Sequence, residues 1–296
     1  MSKLKKSAYA VSLFILLAII PGCPTENASD RPILLYEGKR IITEWKLGKI
    51  NTLDAAFEWI AGNAVNNQTY RIALGKDQTQ EERIINASSF NYRTGVTLIL
   101  EGKDKERVIS NNGDGYLYNI QGGYLFVLGE NITLKGGGVF VDARQVFEMR
   151  DGSKITGAVC GVIVGRGNFT MNGGEITNNG FYDNLQEAGG VIVKAGGRFE
   201  MNGGIISGNV GKNSGGVFIE HNNYLDMGSF KKTRGIITGY GDDPVNGNRI
   251  VDSNGQTDES GKGHAAYFYQ SRYLNNTVNE NHYIYDSAGS FEGWAD

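Results

Sequence analysis

The stretch FTMNGGEIT at residues 169–177 returns thirty residues later as FEMNGGIIS at 199–207. These copies belong to a longer series of three landmarks that recur in a fixed order. The first is a β-favouring run after glycine: GGVFV 137–141, GVIV 161–164, GGVIV 189–193 and GGVFI 215–219, with GYLYNI 115–120 as a weaker early member. The second is an aromatic residue or Leu with an apolar residue two further on: Leu125/Val127, Phe147/Met149, Phe169/Met171, Phe199/Met201 and Leu225/Met227. The third is Ile followed by Ser or Thr, at Ile109, Ile132, Ile155, Ile176, Ile206 and Ile237, at spacings of 23, 23, 21, 30 and 31 residues.

Short fixed spacing within a unit and elastic spacing between units describe rigid strands joined by variable loops. Side chains alternate across a strand, so Phe169 and Met171 share one face. Three short strands per 21–31 residues form one coil of a parallel β-helix, and no single coil buries its apolar face without neighbours. A sandwich of hairpins would need two-residue turns and would not require three strand types in repeating order. The abundance of glycine, 43 residues, agrees with many turns.

The predicted architecture is all-β, with about six to seven coils and an N-terminal capping α-helix in a single domain, 46–296. Residues 51–67, NTLDAAFEWIAGNAVNN, place Leu53, Phe57, Ile60, Ala61 and Ala64 on one helical face, with Asn51 or Thr52 as cap. Strands are expected at 70–74 and 95–100, and a last coil with its cap at 264–296. Within 220–262 two registers remain open, with either Leu225/Met227 or Phe230/Lys232 as the second landmark.

The N-terminus reads as a separate segment. Lys3, Lys5 and Lys6 precede an apolar run, Ser7 to Ile20, that is too short to span a bilayer, which takes about 20 residues. It ends at Gly22-Cys23. This resembles a bacterial lipoprotein signal, 1–22, with lipidation of Cys23 and a tether and leading segment at 23–45. The resemblance implies a membrane partner through the N-terminal lipid. Pro24, rather than Asp, follows Cys23, and the expectation is outer-membrane retention. Loss of 1–22 removes three lysines and no acid from a chain of 29 basic and 32 acidic residues. An acidic mature chain is a poor partner for nucleic acid. Cys160, in AVCGV, reads as a buried small apolar residue.

The helix, GVTLIL 95–100, coils of the form GGVIV…FxMxGGxI(S/T)xN, GHAAYF 263–268 and the closing GW 293–294 together resemble spirochaete-type β-helix lipoproteins. That resemblance covers nearly all of the mature chain. It implies a right-handed parallel β-helix of the pectin-lyase-like kind and an envelope location, and it implies no reaction.

Candidate chemistry is thin. GDDP 241–244 and GH 263–264 look like fragments of the polygalacturonase pattern, which gives Asp242, Asp243 and His264 as the residues an enzymatic reading would use. The N-T-D and R-I-K parts of that pattern are missing. Asp142, Asp151, Asp183 and Asp226 are dispersed among coils, and His221, His264 and His282 lack metal-ligand spacing. No motif calls for a cofactor or a metal. Asn112, Asn179 and Asn209, each three residues after a landmark Ile, read as a structural ladder. The loops 178–190 and 208–216 leave one corner of adjacent coils, and Phe181, Tyr182, Asn184 and Gln186 are the candidate binding residues. The expected function is non-catalytic: adhesion to glycan, matrix or host protein. A polysaccharide lyase or glycoside hydrolase is one alternative, and a purely structural envelope component is another.

Overall fold

A computed structural model of the chain describes residues 31–42, 50–111, 115–181, 186–220, 228–258, 264–268 and 290–291. The described chain is mostly β-strand, and its strands run parallel in stacked sheets. Three ladders can be followed. The first joins Thr69–Leu74, Thr97–Gly102, Leu125–Leu128, Val146–Met149, Asn168–Met171 and the first halves of Arg198–Ser207 and Ser229–Ile237. The second joins Gln78–Thr79, Arg107–Ser110, Ile132–Lys135, Ser153–Thr156, Glu175–Thr177 and the second halves of the same two long strands. The third joins Arg83–Ile85, Tyr116–Ile120, Gly138–Val141, Val162–Val164, Val191–Val193, Val217–Ile219 and Ala266–Phe268. Each repeat adds one rung to each ladder in the same order.

In-register pairing makes identical residues meet. Phe126, Phe147, Phe169, Phe199 and Phe230 lie one above another, with successive ring centroids 5.8, 5.1, 4.7 and 4.8 Å apart and nearly parallel rings. Each such pair contributes about 0.5–1.5 kcal/mol beyond area burial. Leu128, Met149, Met171 and Met201 form the adjacent column and are fully buried. The third ladder supplies the facing wall through Val139, Val162, Val191 and Val217, and through Val141, Val164 and Val193, all in the same core. The turn between the first two ladders is a glycine column. Gly204 has φ +87°, a conformation that L side chains rarely adopt, and a Cβ there would lie 2.6 Å from the Gly174 carbonyl oxygen.

Two details of register differ from the expectation, and one open choice is decided. Phe126/Leu128, not Leu125/Val127, align with Phe147/Met149. All four residues of LFVL are apolar, so alternation could not choose a face; the stacked Phe147 does. Likewise Leu134, not Ile132, aligns with Ile109 and Ile155, because Ile132 and Leu134 are two apart and alternation fits both. In the open region Phe230 pairs with Phe199 and Lys232 with Met201. Leu225 and Met227 lie outside the described residues.

The helix spans Leu53–Asn63, shorter than 51–67, because Ala64 leaves helical geometry at ψ 142°. Thr52 caps it, its hydroxyl accepting from the Ala55 N–H at 3.2 Å. Leu53, Ala56, Phe57 and Ile60 are buried, and the Phe57 ring lies 6.3 Å from that of Tyr118. Ala56 takes the place expected for Ala61, which is only partly buried. A leading strand, Ile33–Glu37, runs antiparallel to Thr69–Leu74.

Replacing Phe169 by Ala removes the middle ring of the column. The expected cost is about 3–5 kcal/mol, read from urea unfolding. Phe181→Ala, at an exposed ring, should stay within about 0.5 kcal/mol. Equal effects would mean that the column is not what holds the stack.

Candidate binding surfaces

The predicted loop corner rests on a buried polar column. Asn179, Asn209 and Asn248 are each 0 % exposed. The Asn209 side-chain oxygen accepts from the backbone N–H of Asn179 at 3.0 Å and from its amide at 2.9 Å. The Asn248 oxygen does the same for Asn209, at 3.1 and 2.8 Å. Each amide also donates to a carbonyl of the second ladder: Asn179 to Ile155, Asn209 to Ile176 and Asn248 to Ile206. The column thus satisfies backbone groups that the corner would otherwise bury unpaired. Asn248 escaped the sequence pattern because the insertion 239–247 moves it eight places further from its Ile than its counterparts. Asn112 lies outside the described residues.

On this column the loops lie side by side. Lys212 N–H donates to the Gln186 carbonyl at 2.9 Å, and the N–H groups of Asn213 and Ser214 donate to that of Glu187. The Asn213 amide also donates to the Glu187 carboxylate. Val210–Gly211 pairs in parallel with Arg249–Ile250, so a third loop joins the corner. Phe181 is exposed and Gln186 partly so. Tyr182 and Asn184 lie outside the described residues, as does Cys23.

Asp243 and His264 serve local turns. The Asp243 carboxylate accepts from the N–H groups of Val245 and Asn246, both at 3.0 Å, and from the Asn246 amide. The Asn246 backbone bond, followed by its amide and the Val245 N–H, holds the Asp243 carboxyl below its ordinary value. His264 is buried; Nδ1 accepts from Ile250 N–H at 2.9 Å, which leaves Nε2 to donate to the Asp258 carbonyl at 3.1 Å. None of these hydrogen bonds joins Asp243 to His264. Asp242 is exposed.

Cys160 is buried beside Ile163, Ala188, Ile192 and Phe218, on the outward side of the third ladder. Burial pushes its thiol up to about 12.

The sequence pattern missed an open groove of about 440 Å³ beside the glycine column. It crosses successive rungs of the second ladder. Its lining includes Glu106, Thr133, Asp151, Lys154, Glu175 and Ile205. Thr133 donates its hydroxyl to Glu106 at 2.6 Å, and Lys154 pairs with Glu175 at 2.9 Å. A Cβ on Gly173 would fall 1.9 Å from the Asp151 carboxylate, so only glycine leaves that acid its place. Asp151, one of the dispersed acids, therefore shares a groove with two others. Glu106 and Glu175 belong to different repeats, and only rung stacking brings them together.

No family model, no curated protein and no solved structure matches the chain. No group of three or more His, Cys, Asp or Glu among the described residues could hold a metal ion.

Two outcomes follow. Asn209→Ala strands donors on Asn179 and the Ile176 carbonyl, and should cost roughly 2–4 kcal/mol; a loss under 0.5 kcal/mol by urea unfolding would sink the column's role. In a Cys23→Ala background, Cys160 should resist a thiol reagent at pH 8 until the chain unfolds. The folded state keeps this proton while the unfolded chain loses it above about pH 8.5. Its contribution to stability is therefore intact below that pH and declines as pH rises toward about 12. The difference between this chain and its Cys160→Ala variant across pH 8–11 measures that decline.

Proposed function

We propose that this chain is a lipid-anchored, non-catalytic binding protein of the bacterial envelope, carried on a right-handed parallel β-helix. Three parallel ladders visited in constant order support the β-helix. The buried face of Leu53–Asn63, against the ring of Tyr118, supports a role as the N-terminal cap. The lipid at Cys23 rests on the basic start, the short apolar run and Gly22-Cys23. No helix among the described residues is long and apolar enough to cross a membrane.

The observation that carries binding is the loop corner. Loops held side by side on a fully buried asparagine column make a broad surface on a rigid support, which suits glycan, matrix or an extracellular protein.

The groove favours a second reading, cleavage of a polysaccharide, since Glu106, Asp151 and Glu175 share one open cleft. Glycoside hydrolysis needs one carboxyl protonated and another flanking the scissile bond. Here Glu175 is 45 % exposed beside Lys154, and Glu106 accepts from a hydroxyl. Glu175 and Glu106 are thus each engaged by another side chain of the chain itself.

The test runs a glycan and matrix-protein array beside reducing-sugar and unsaturated-uronide assays. Binding without turnover is expected. Turnover abolished by Glu175→Gln would replace the first reading with the second, and neither binding nor turnover would leave a structural component. Cys23→Ala should move the chain from the membrane to the soluble fraction and remove the acyl mass.

A further inference from the structure

The outward face of the second ladder carries, rung by rung, Val108, Thr133, Lys154, Glu175, Ile205 and Ile236. Two features set it apart. Glu106, Asp151 and Glu175 face one ammonium, Lys154, so the groove has an excess of negative charge. Just past its acidic part, Ile205 and Ile236 are 38 % and 40 % exposed, large apolar side chains side by side on a polar surface. None of the groove's lining residues is aromatic. Glycan sites favour flat rings against sugar faces; carboxylates followed by aliphatic side chains suit a peptide instead.

We infer that this groove binds an extended basic peptide, running along the stack, with an apolar side chain seated at Ile205 and Ile236. The inference rests on the reading of the chain as a binding protein and names a partner class for a second surface of it. Rungs lie about 4.8 Å apart; the strands of Glu106 and Glu175 are three rungs apart and the Glu106 carboxylate leans one rung toward Thr133, so the two carboxylates are separated by roughly 10–14 Å, and Ile205 lies about 5 Å beyond. An extended peptide rises about 3.3 Å per residue. Basic residues at positions one and five therefore reach Glu106 and Glu175, and an apolar residue at position seven reaches Ile205. Asp151, on an intervening rung, accepts from the peptide between them. Lys154 already partners Glu175, at 37 % and 45 % side-chain exposure. An exposed pair of this kind is weak and open to exchange, so Lys154 competes with the peptide.

That competition gives the test a sign. The full chain, extracted in detergent, is titrated into a labelled peptide with lysine at its first and fifth positions, leucine at its seventh and threonine elsewhere. A control peptide carries glutamate for lysine. Glu106→Gln and Glu175→Gln should each weaken binding roughly 3- to 5-fold, and Lys154→Gln should tighten it roughly 3-fold. Ile205→Ser should weaken it, and added salt should weaken it for every chain. Urea unfolding checks that each variant remains folded. Equal binding of the control peptide, no binding, or affinity unmoved by the three charge variants would overturn the inference. A glucosamine tetramer that binds with the same variant pattern while the peptide does not would also overturn it, in favour of a glycan. If the array shows binding that survives Glu106→Gln and Glu175→Gln while the peptide fails, this inference falls and the proposed function stands. If the array shows none either, both fall.

Discussion

Everything in this molecule depends on parallel strands meeting in register at one rung spacing. That spacing lets like residues stack, and stacking selects which residues can repeat. A phenyl ring tolerates a parallel neighbour at 4.7–5.8 Å, as the Phe126 to Phe230 column shows. A charged side chain in the same inward place would meet its own kind above and below. Where the inward column does accept charge, at Lys232, it does so in the last strand of its ladder among the described residues, paired with Met201 on one side. A lysine on an edge strand is also a common guard against further strand addition.

The asparagine column solves a different problem with the same geometry. Loops of very different length leave one corner, and their backbone groups would be buried and unpaired without a partner that repeats. Asn179, Asn209 and Asn248 supply it: Asn179 donates to Asn209, Asn209 donates to Asn248, and all three amides donate back to the second ladder. Because the column binds locally, the chain between ladder and column is free to lengthen. That freedom explains how eight extra residues between Thr238 and Asn248 leave Asn248 in line. Variation in length is thereby pushed onto one edge, where it adds surface without disturbing the core.

What could be read from the chain alone follows from this. The FxM and Ile-Ser/Thr landmarks are local and repeat, so the parallel ladders and most inward residues were legible at 147–149, 169–171 and 199–201. Register was not legible where every residue of a strand is apolar, as in Leu125–Leu128, or where two candidates share a face, as with Ile132 and Leu134. In both cases the deciding contact comes from the neighbouring rung. The helix face was visible but its end was not, since Ala64, Val65 and the asparagines that follow do not by composition mark where helical geometry stops. The loop corner was legible from spacing. The groove was not: Glu106, Asp151 and Glu175 look dispersed along the chain, and stacking, not sequence distance, collects them.

The groove also follows from the core rather than being added to it. The chain must turn sharply between the first ladder and the second, and the turn uses glycine at positive φ in successive rungs, at Gly174, Gly204 and Gly235. A column of glycines has no side chains, so a furrow runs beside it wherever the flanking rows carry long ones. Those flanking rows point outward and take no part in the Phe and Met columns. Their residues can therefore change at little cost to the apolar core, and the sequence of Thr133, Lys154, Glu175, Ile205 and Ile236 shows such independence: five rungs carry four residue types beside a core that barely varies. A surface that the fold leaves free, yet which gathers three acids around one lysine and two bare isoleucines, is where selection by a partner can act without opposing selection for stability.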